Sequence, residues 1–310
     1  MSRGLTYASV ESSVGCFSHL NKVSNIGFWR WTNLFGIRGS KFRILSPRPF
    51  GLISIMEFLI SKIFYFPVKS ISFDKVNSIK VKKSVGLEND RIFSFSRNVD
   101  FKEAKLIEQD QNKRSLQKFL TLKNSPFLNK YNFSFNKDEL VLRKKDTEIK
   151  KISISKKKEL KELAELLIKL EPQINAPIFL LHNIKNPFFD TMPNNSISLI
   201  NLNTVNDFSQ KIDTEIEFER FRGNIYIKGM KPWEEFQWIG KKININNCHF
   251  LVTGKIPRCS ATNLKPGEVK DDINLPLTLR KVYGHINLGV YLIPLNDGII
   301  NINNEVRLIL

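Results

Sequence analysis

Apolar residues in this chain recur at every second position in short runs, and most runs are closed by glycine, asparagine or proline. Successive side chains of a strand point to opposite faces, so such runs read as half-buried strands joined by tight turns. Leu59–Val68, more continuously apolar, suits a buried strand, while Ser78–Lys83, Arg91–Ser96 and Tyr131–Arg143 alternate or carry β-branched and aromatic residues, with turns at Gly86, Asn98 and Asn136-Lys137-Asp138. The strand pattern returns after Phe221, punctuated by Gly229, Gly240, Asn246-Asn247, Gly254, Gly284 and Asn296-Asp297-Gly298. Two segments keep a helical period instead. Leu160, Leu163, Leu166, Leu167 and Leu170 share one face of a helix that Ser155 is placed to cap, and a second helix is predicted over Leu202–Ile212 with Asn201 or Asn203 as its cap. Pro172, Pro177, Pro187 and Pro193 break the stretch between them into loops. The fold class is therefore α+β and mostly β.

The 310 residues suffice for a large core, with two adjoining domains as the better reading, and 42% hydrophobic with 25% charged residues argues against a mainly disordered chain. Cys16, Cys248 and Cys259 show no CxxC spacing, which leaves no signal for a disulfide framework, a zinc site or an iron–sulfur cluster. A reducing, cytoplasmic setting fits best. The net charge of +18 comes from scattered lysines and no nucleic-acid-binding motif accompanies it, so a solvated basic surface is expected and no nucleic-acid partner. The lysine run Lys156–Lys158 belongs to that surface as the first turn of its helix. The apolar run Phe50–Phe66 is interrupted by Glu57 and Lys62 and is shorter than the roughly 20 residues of a spanning helix, so stable membrane insertion is not expected. Residues 1–55 hold five arginines, two lysines and one acidic residue, against 32 lysines and nine arginines in the remainder. They read either as a targeting segment or as upstream sequence ahead of a start at Met56; the strand pattern that begins just after Met56 favours the second.

Phosphate-binding GxxxxGK[ST], dinucleotide-binding GxGxxG, zinc-binding HExxH and nucleophilic GxSxG motifs are all absent, and His19, His182, His249 and His285 show no ligand spacing. A nucleotide-driven or zinc-hydrolase mechanism is disfavoured.

What remains is an ordered set of local patterns. Tyr65-Phe66-Pro67-Val68-Lys69-Ser70 resembles the "YPVKS" opening of the MOSC N-terminal β-barrel domain, and Gly86-Leu87-Glu88-Asn89-Asp90-Arg91 resembles its "GL..DR" element. Phe119 to Lys123 and Pro126 is similar to a "[FM]xTxR..P" segment with lysine in place of arginine. Ser196–Asn201 resembles the strand entering the MOSC domain proper, Phe221-Arg222-Gly223-Asn224 resembles "FRPN" with glycine in place of proline, and Trp233–Trp238 with Gly240 resembles "ED.W…IG". Pro257-Arg258-Cys259 is similar to the "RC" signature and Leu288-Gly289-Val290-Tyr291 to the "FG.Y" strand.

The resemblance runs from about Met56 to Leu310 and implies a MOSC N-terminal β-barrel-like domain over residues 56–175 joined to a MOSC β-barrel over 176–310, with a few flanking helices and a cofactor site between the two. The mitochondrial amidoxime-reducing components belong to this family. The resemblance implies a molybdenum-pterin cofactor, Mo-molybdopterin, with Cys259 as metal ligand and catalytic residue; a soft thiolate suits such a metal. It implies cofactor contacts from Lys69, Ser70, Arg91, Asn195, Ser196, Arg222, Pro257, Arg258 and Tyr291. Trp233, Trp238 and Cys248 read as core residues.

Three functions follow. The first is a monomeric reductase that transfers an oxygen atom from a small N-oxygenated substrate. Because no iron–sulfur, flavin or haem motif is present in the sequence, its electrons come from an external ferredoxin- or cytochrome-like protein. The second is sulfur transfer by a Cys259 persulfide, with a partner that binds pyridoxal phosphate. The third is a non-catalytic carrier of the cofactor.

Overall fold

The computed structural model describes residues 57–71, 73–189 and 195–309, so the leader expected over residues 1–55 lies outside them. In chain order β1 (Leu59–Tyr65), β2 (Asp74–Val76), β3 (Ser78–Lys82), β4 (Gly86–Leu87) and β5 (Phe93–Phe95) lead to α1 (Phe101–Gln109). The hairpins of β6 (Tyr131–Asn136), β7 (Glu139–Lys144) and β8 (Thr147–Ser153) precede α2 (Lys157–Leu170) and β9 (Leu180–His182). Next come β10 (Ile197–Asn201), α3 (Leu202–Lys211), β11 (Ile225–Lys228), β12 (Lys242–Ile245) and β13 (Cys248–Pro257). The chain ends with α4 (Leu275–Tyr283), β14 (Asn287–Pro294), β15 (Gly298–Asn301) and β16 (Val306–Ile309).

One eight-stranded sheet, ordered β16-β12-β13-β14-β10-β11-β1-β2, dominates. Its period-two pattern separates two cores. Ile63, Tyr65, Ile197, Leu199, Ile225, Ile227, Val290 and Leu292 face one core, while the intervening Phe64, Phe66, Ile200 and Tyr226 pack with Val205, Phe208, Leu275 and Leu279 of α3 and α4 on the other side. A register shift between Ile60 and Lys62 keeps Ile60 in the same core as Ile63. A further core joins the sheet β6-β7-β8 to β5, β9 and the apolar face of α2, where Leu163, Ala164 and Leu167 are buried.

The sheets are not closed into barrels, in contrast to the two barrels expected. The two ends of the large sheet meet at a single bridge between Leu59 and Glu305, where the Val306 N–H donates to the Phe58 carbonyl at 2.7 Å. The reason lies in β1: Ile63, Phe64 and Tyr65 are paired with β2, which leaves only the first residues of β1 to reach β16.

Other expectations change in detail. Asn201 caps α3 by accepting the Asn203 N–H at 3.0 Å, but Ser155 does not cap α2, because its hydroxyl is held by Asp138 and Ser153. Lys156, Lys157 and Lys158 are exposed as expected. Helices α1 and α4 were not anticipated, although Asp100 and Asn274 accept N–H groups of the first turns and Gly284 ends α4 at φ 75°. Among the described residues no helix is long and apolar enough to cross a membrane.

Gly223, which stands where the family pattern has proline, donates its N–H to the Tyr226 hydroxyl at 2.8 Å. Proline has no such hydrogen to give. A β-carbon here would sit 2.7 Å from Cδ1 of Ile200 and 3.0 Å from the Tyr226 ring, both fully buried. Gly223→Ala is therefore expected to lower stability by about 1–3 kcal/mol through overpacking, read as a lower urea midpoint with an unchanged slope; an unaltered midpoint would show that Ile200 gives way freely.

Candidate functional site

The sequence elements flagged for chemistry lie in separate parts of the chain, and the fold brings all but one of them to one cleft of about 400 Å³. Lys69 and Ser70 follow the end of β1, and Arg91 ends the turn after β4. Ser196 precedes β10, Arg222 precedes β11, Pro257 to Cys259 close β13, and Tyr291 lies on β14. All nine line the cleft. Asn195 does not: its side-chain amide donates to the Lys83 carbonyl at 2.7 Å, on the β3–β4 side.

Backbone geometry aims several of these residues. Ser70, Arg91 and Arg222 all have positive φ, at 65°, 55° and 48°, a conformation that non-glycine residues adopt rarely. The guanidinium carbons of Arg91 and Arg222 lie 4.7 Å and 4.8 Å from the centre of the same ring, Phe66, so a buried aromatic carries both cations. Lys69 is 2% exposed and donates from Nζ to the Phe188 carbonyl at 3.1 Å.

Asp90 anchors Arg91 through an ion pair and is itself buried. Burial pushes its carboxyl up, and the Arg91 guanidinium, the Phe66 N–H and the Asn224 amide pull it back down. Asn224 links this pair to the sheet. Its Nδ2 donates to the Phe64 carbonyl and to Asp90, both at 3.2 Å, and its Oδ1 accepts the Ser198 hydroxyl at 2.8 Å.

Arg258 is spent mainly on the fold. Its Nε donates to the Leu288 carbonyl at 2.9 Å, its Nη1 to the Phe221 carbonyl at 2.8 Å, and its Nη2 again to Leu288. Gly289, at φ 78°, makes room for this: a β-carbon there would lie 3.2 Å from Nη2 of Arg258 and 2.6 Å from the Leu199 carbonyl. Burial lowers the Arg258 guanidinium to about 10, so it remains a cation at neutral pH. Cys259 is next, a free, half-buried thiol. Its carbonyl accepts both the N–H and the hydroxyl of Thr262, at 3.0 Å and 2.8 Å, which fixes the turn Ser260–Asn263 behind it.

The cleft also contains residues not singled out from the sequence as a site: Thr121, Lys123, Phe189, Ser198, Arg220 and Asn224 among them. Lys123 and Asn224 stand inside the quoted patterns and could have been found there. Arg220 had no sequence signal. It is buried and clamped by Asp272 at 2.7 Å and 2.5 Å, by Glu217 at 2.6 Å, and by the Asn263 carbonyl at 2.8 Å, which ties the Arg222 turn to the Cys259 turn.

Six cationic side chains, Lys69, Lys123, Arg91, Arg220, Arg222 and Arg258, line the cleft, and among the described residues no carboxylate does. Residues 189–307 match the family model of the MOSC domain. This family is associated with molybdenum-cofactor binding. Among solved structures the chain is similar to the YuaD protein of Bacillus subtilis, at 11% identity and TM-score 0.38, over 81% of this chain and 94% of that one. It is also similar to YiiM of Geobacillus stearothermophilus, at 17% identity and TM-score 0.30, over 37% of this chain and 54% of that one. No curated protein matches it. The MOSC segment supplies Ser196, Arg222, Arg258, Cys259 and Tyr291, while Lys69, Ser70, Arg91 and Lys123 reach the cleft from the residues before it.

Because three Arg258 N–H groups satisfy buried carbonyls, removal of this side chain should be felt without any ligand. Arg258→Met is expected to destabilise the protein by about 2–4 kcal/mol, since buried acceptors are left unpaired. Denaturant unfolding of the ligand-free protein measures this, and a loss below about 1 kcal/mol would return Arg258 to a pure binding role.

Proposed function

We propose that the cleft holds a molybdenum-pterin cofactor and that the protein is a reductase of small N-oxygenated substrates, fed with electrons by an external protein donor. The observation that supports it most is the meeting of an accessible thiol with a cleft lined, among the described residues, by six cations and no carboxylate. Among the described residues no group of three or more His, Cys, Asp or Glu is placed to hold a metal. A metal here therefore takes Cys259 as its protein ligand and its other donors from a bound organic group, which is what a dithiolene supplies. The donor set fits such a group.

In this reading Lys69, Ser70, Arg91 and Arg222 hold the phosphate end, with Ser196 beside them, and Arg258 offers the cofactor its two remaining N–H groups. Arginine contributes a planar fork and lysine a point charge. Tyr291 and Pro257 shape the wall next to Cys259. With the domain boundary placed at residues 175/176, the site lies between the two halves. The bound cofactor supplies oxygen-atom transfer; overall the substrate takes up two electrons and two protons, loses its N-bound oxygen and releases water. A Cys259 persulfide in a sulfur-transfer protein is the second reading, supported by the free, half-buried state of that thiol.

Cys259→Ser is expected to abolish turnover and strip molybdenum while the fold persists, because an alcohol is a harder donor with a far higher pKa. Cys248→Ser should do neither: Cys248 is buried and its thiol is pushed up to about 11 by desolvation. Metal and sulfane-sulfur analysis of purified protein decides between the readings. Molybdenum with pterin supports the reductase, labile sulfur the alternative, and full metal in Cys259→Ser rejects the ligand assignment.

Arg222→Lys should weaken cofactor retention by about one to two decades, equivalent to about 1.5–3 kcal/mol for a charge-assisted contact to a buried anion. Arg143→Lys, at a residue held by Ser134 and Glu148 outside the cleft, is the control. Equal molybdenum retention after dialysis of the two variants would remove Arg222 from the site.

A further inference from the structure

Beside the cationic cleft lies a second cavity, of about 430 Å³. Its volume falls within the roughly 300–1,000 Å³ of small-molecule sites. Leu122, Arg220, Arg222 and Ala261 line both spaces, so the two adjoin, whereas Cys259 lines the first and not the second. The second cavity therefore borders the end of the cleft where Arg222 stands and does not reach the thiol.

Its walls are set before any ligand arrives. Asn132 on β6 clips the main chain of Phe73 twice: Oδ1 accepts the Phe73 N–H at 2.6 Å and Nδ2 donates to the Phe73 carbonyl at 3.1 Å. Asn129 donates from Nδ2 to the carbonyls of Lys265 and Glu268, both at 2.7 Å, which fixes the turn that carries Pro266 and Gly267. Walls tied in this way have little freedom left to lose on binding. Ile71, Phe73, Leu122 and Leu264 give the cavity its apolar surface.

Charge separates the two spaces. Among the described residues no carboxylate lines the cleft, but Asp146 and Glu219 line the cavity. Asp146, exposed in the turn between β7 and β8, enters no hydrogen bond or ion pair among the described residues. Glu219 is half-buried and enters no ion pair among them, and desolvation pushes its carboxyl up. Lys130, which also lines the cavity, is held by the buried Glu171 at 2.6 Å. A phosphate entering here would meet two acids. A flat, largely apolar group with N–H donors would satisfy them instead, since an ionised carboxylate accepts two parallel bonds from neighbouring donors.

A ligand that is anionic in the cleft and carries such a ring in the adjoining cavity is a nucleotide. We infer that the second cavity holds the guanine nucleoside of a dinucleotide form of the cofactor, joined to the pterin's phosphate through a pyrophosphate bridge that passes Arg222. Guanine suits the acids because its ring N–H and its amino group are adjacent donors, whereas adenine and cytosine place one amino group beside a ring acceptor. Remoteness from Cys259 agrees with this, because the nucleoside takes no part in the chemistry at the thiol. The inference rests on the molybdenum-pterin reading of the cleft and names the form of that cofactor.

The test has two arms. In the first, the purified full-length protein is denatured in acid and the released nucleotides are measured against molybdenum; about one guanine nucleotide per molybdenum is expected. In the second, protein produced in a host unable to make the pterin is titrated with GDP and with pyrophosphate. Asp146→Asn with Glu219→Gln should weaken GDP at least about tenfold and pyrophosphate less than about threefold, because the base and not the anion is affected. Glu162→Gln with Glu165→Gln on α2, which changes the net charge equally, should weaken neither. Molybdenum and pterin without a nucleotide would overturn the inference and leave the cofactor reading standing, even if free GDP binds. Absence of GDP binding, or equal weakening of GDP and pyrophosphate, also overturns it. The expected GDP pattern in a protein that never contains molybdenum would keep the nucleoside cavity and reject the reductase reading instead.

Discussion

The buried amide of Asn224 is the contact on which the site depends. Four separate stretches of chain meet at this one side chain: the Phe64 carbonyl of β1, Ser198 of β10, Asp90 of the turn after β4, and the start of β11 itself. An amide has two donors and two acceptor sites, and here both kinds are used within the core. A group satisfied in this way is costly to displace, because every alternative arrangement strands polar atoms away from water. The position of Arg91 follows from it through Asp90, and that of Arg222 follows through the chain, two residues upstream.

This anchoring solves an electrostatic difficulty. A cleft lined by cations repels itself, and long basic side chains left to solvent would splay apart. Here Phe66 underlies two guanidiniums, Asp90 and Asp272 neutralise two of the arginines from behind, and main-chain carbonyls absorb much of a third. The positive face is therefore set before any anion arrives, so little ordering remains to oppose binding.

Much of this was legible in the sequence. A nearly continuous apolar run marks β1, alternating or β-branched and aromatic residues mark β3 and the β6–β7 hairpin, and the leucine spacing marks α2. The ordered motifs placed nine residues that the fold brings to one cleft. What was not legible depends on contacts between distant segments. The capping role given to Ser155 failed because Asp138, seventeen residues earlier, competes for its hydroxyl. Asn195 reads as part of the entry to β10, but Lys83 claims its amide. Arg220 carries no local signal at all, since only Asp272 and Glu217 reveal why a guanidinium is buried there. Barrel closure likewise turns on β2 occupying the edge that β16 would need, which no period in the sequence reports.

The central place of β1 bears on how the chain is made. β1 pairs with β11 from Leu59 opposite Lys228 to Ile63 opposite Ile225, so on a ribosome it emerges long before its partner exists. Until then Ile60, Ile63, Phe64 and Phe66, all buried in the finished protein, have at most the three-residue β2 beside them. A ladder of such high contact order forms slowly and leaves apolar strand edges open in the interim. Residues 189–307 translated alone would lack β1, the strand that covers one edge of β11, which makes that segment a poor unit of expression.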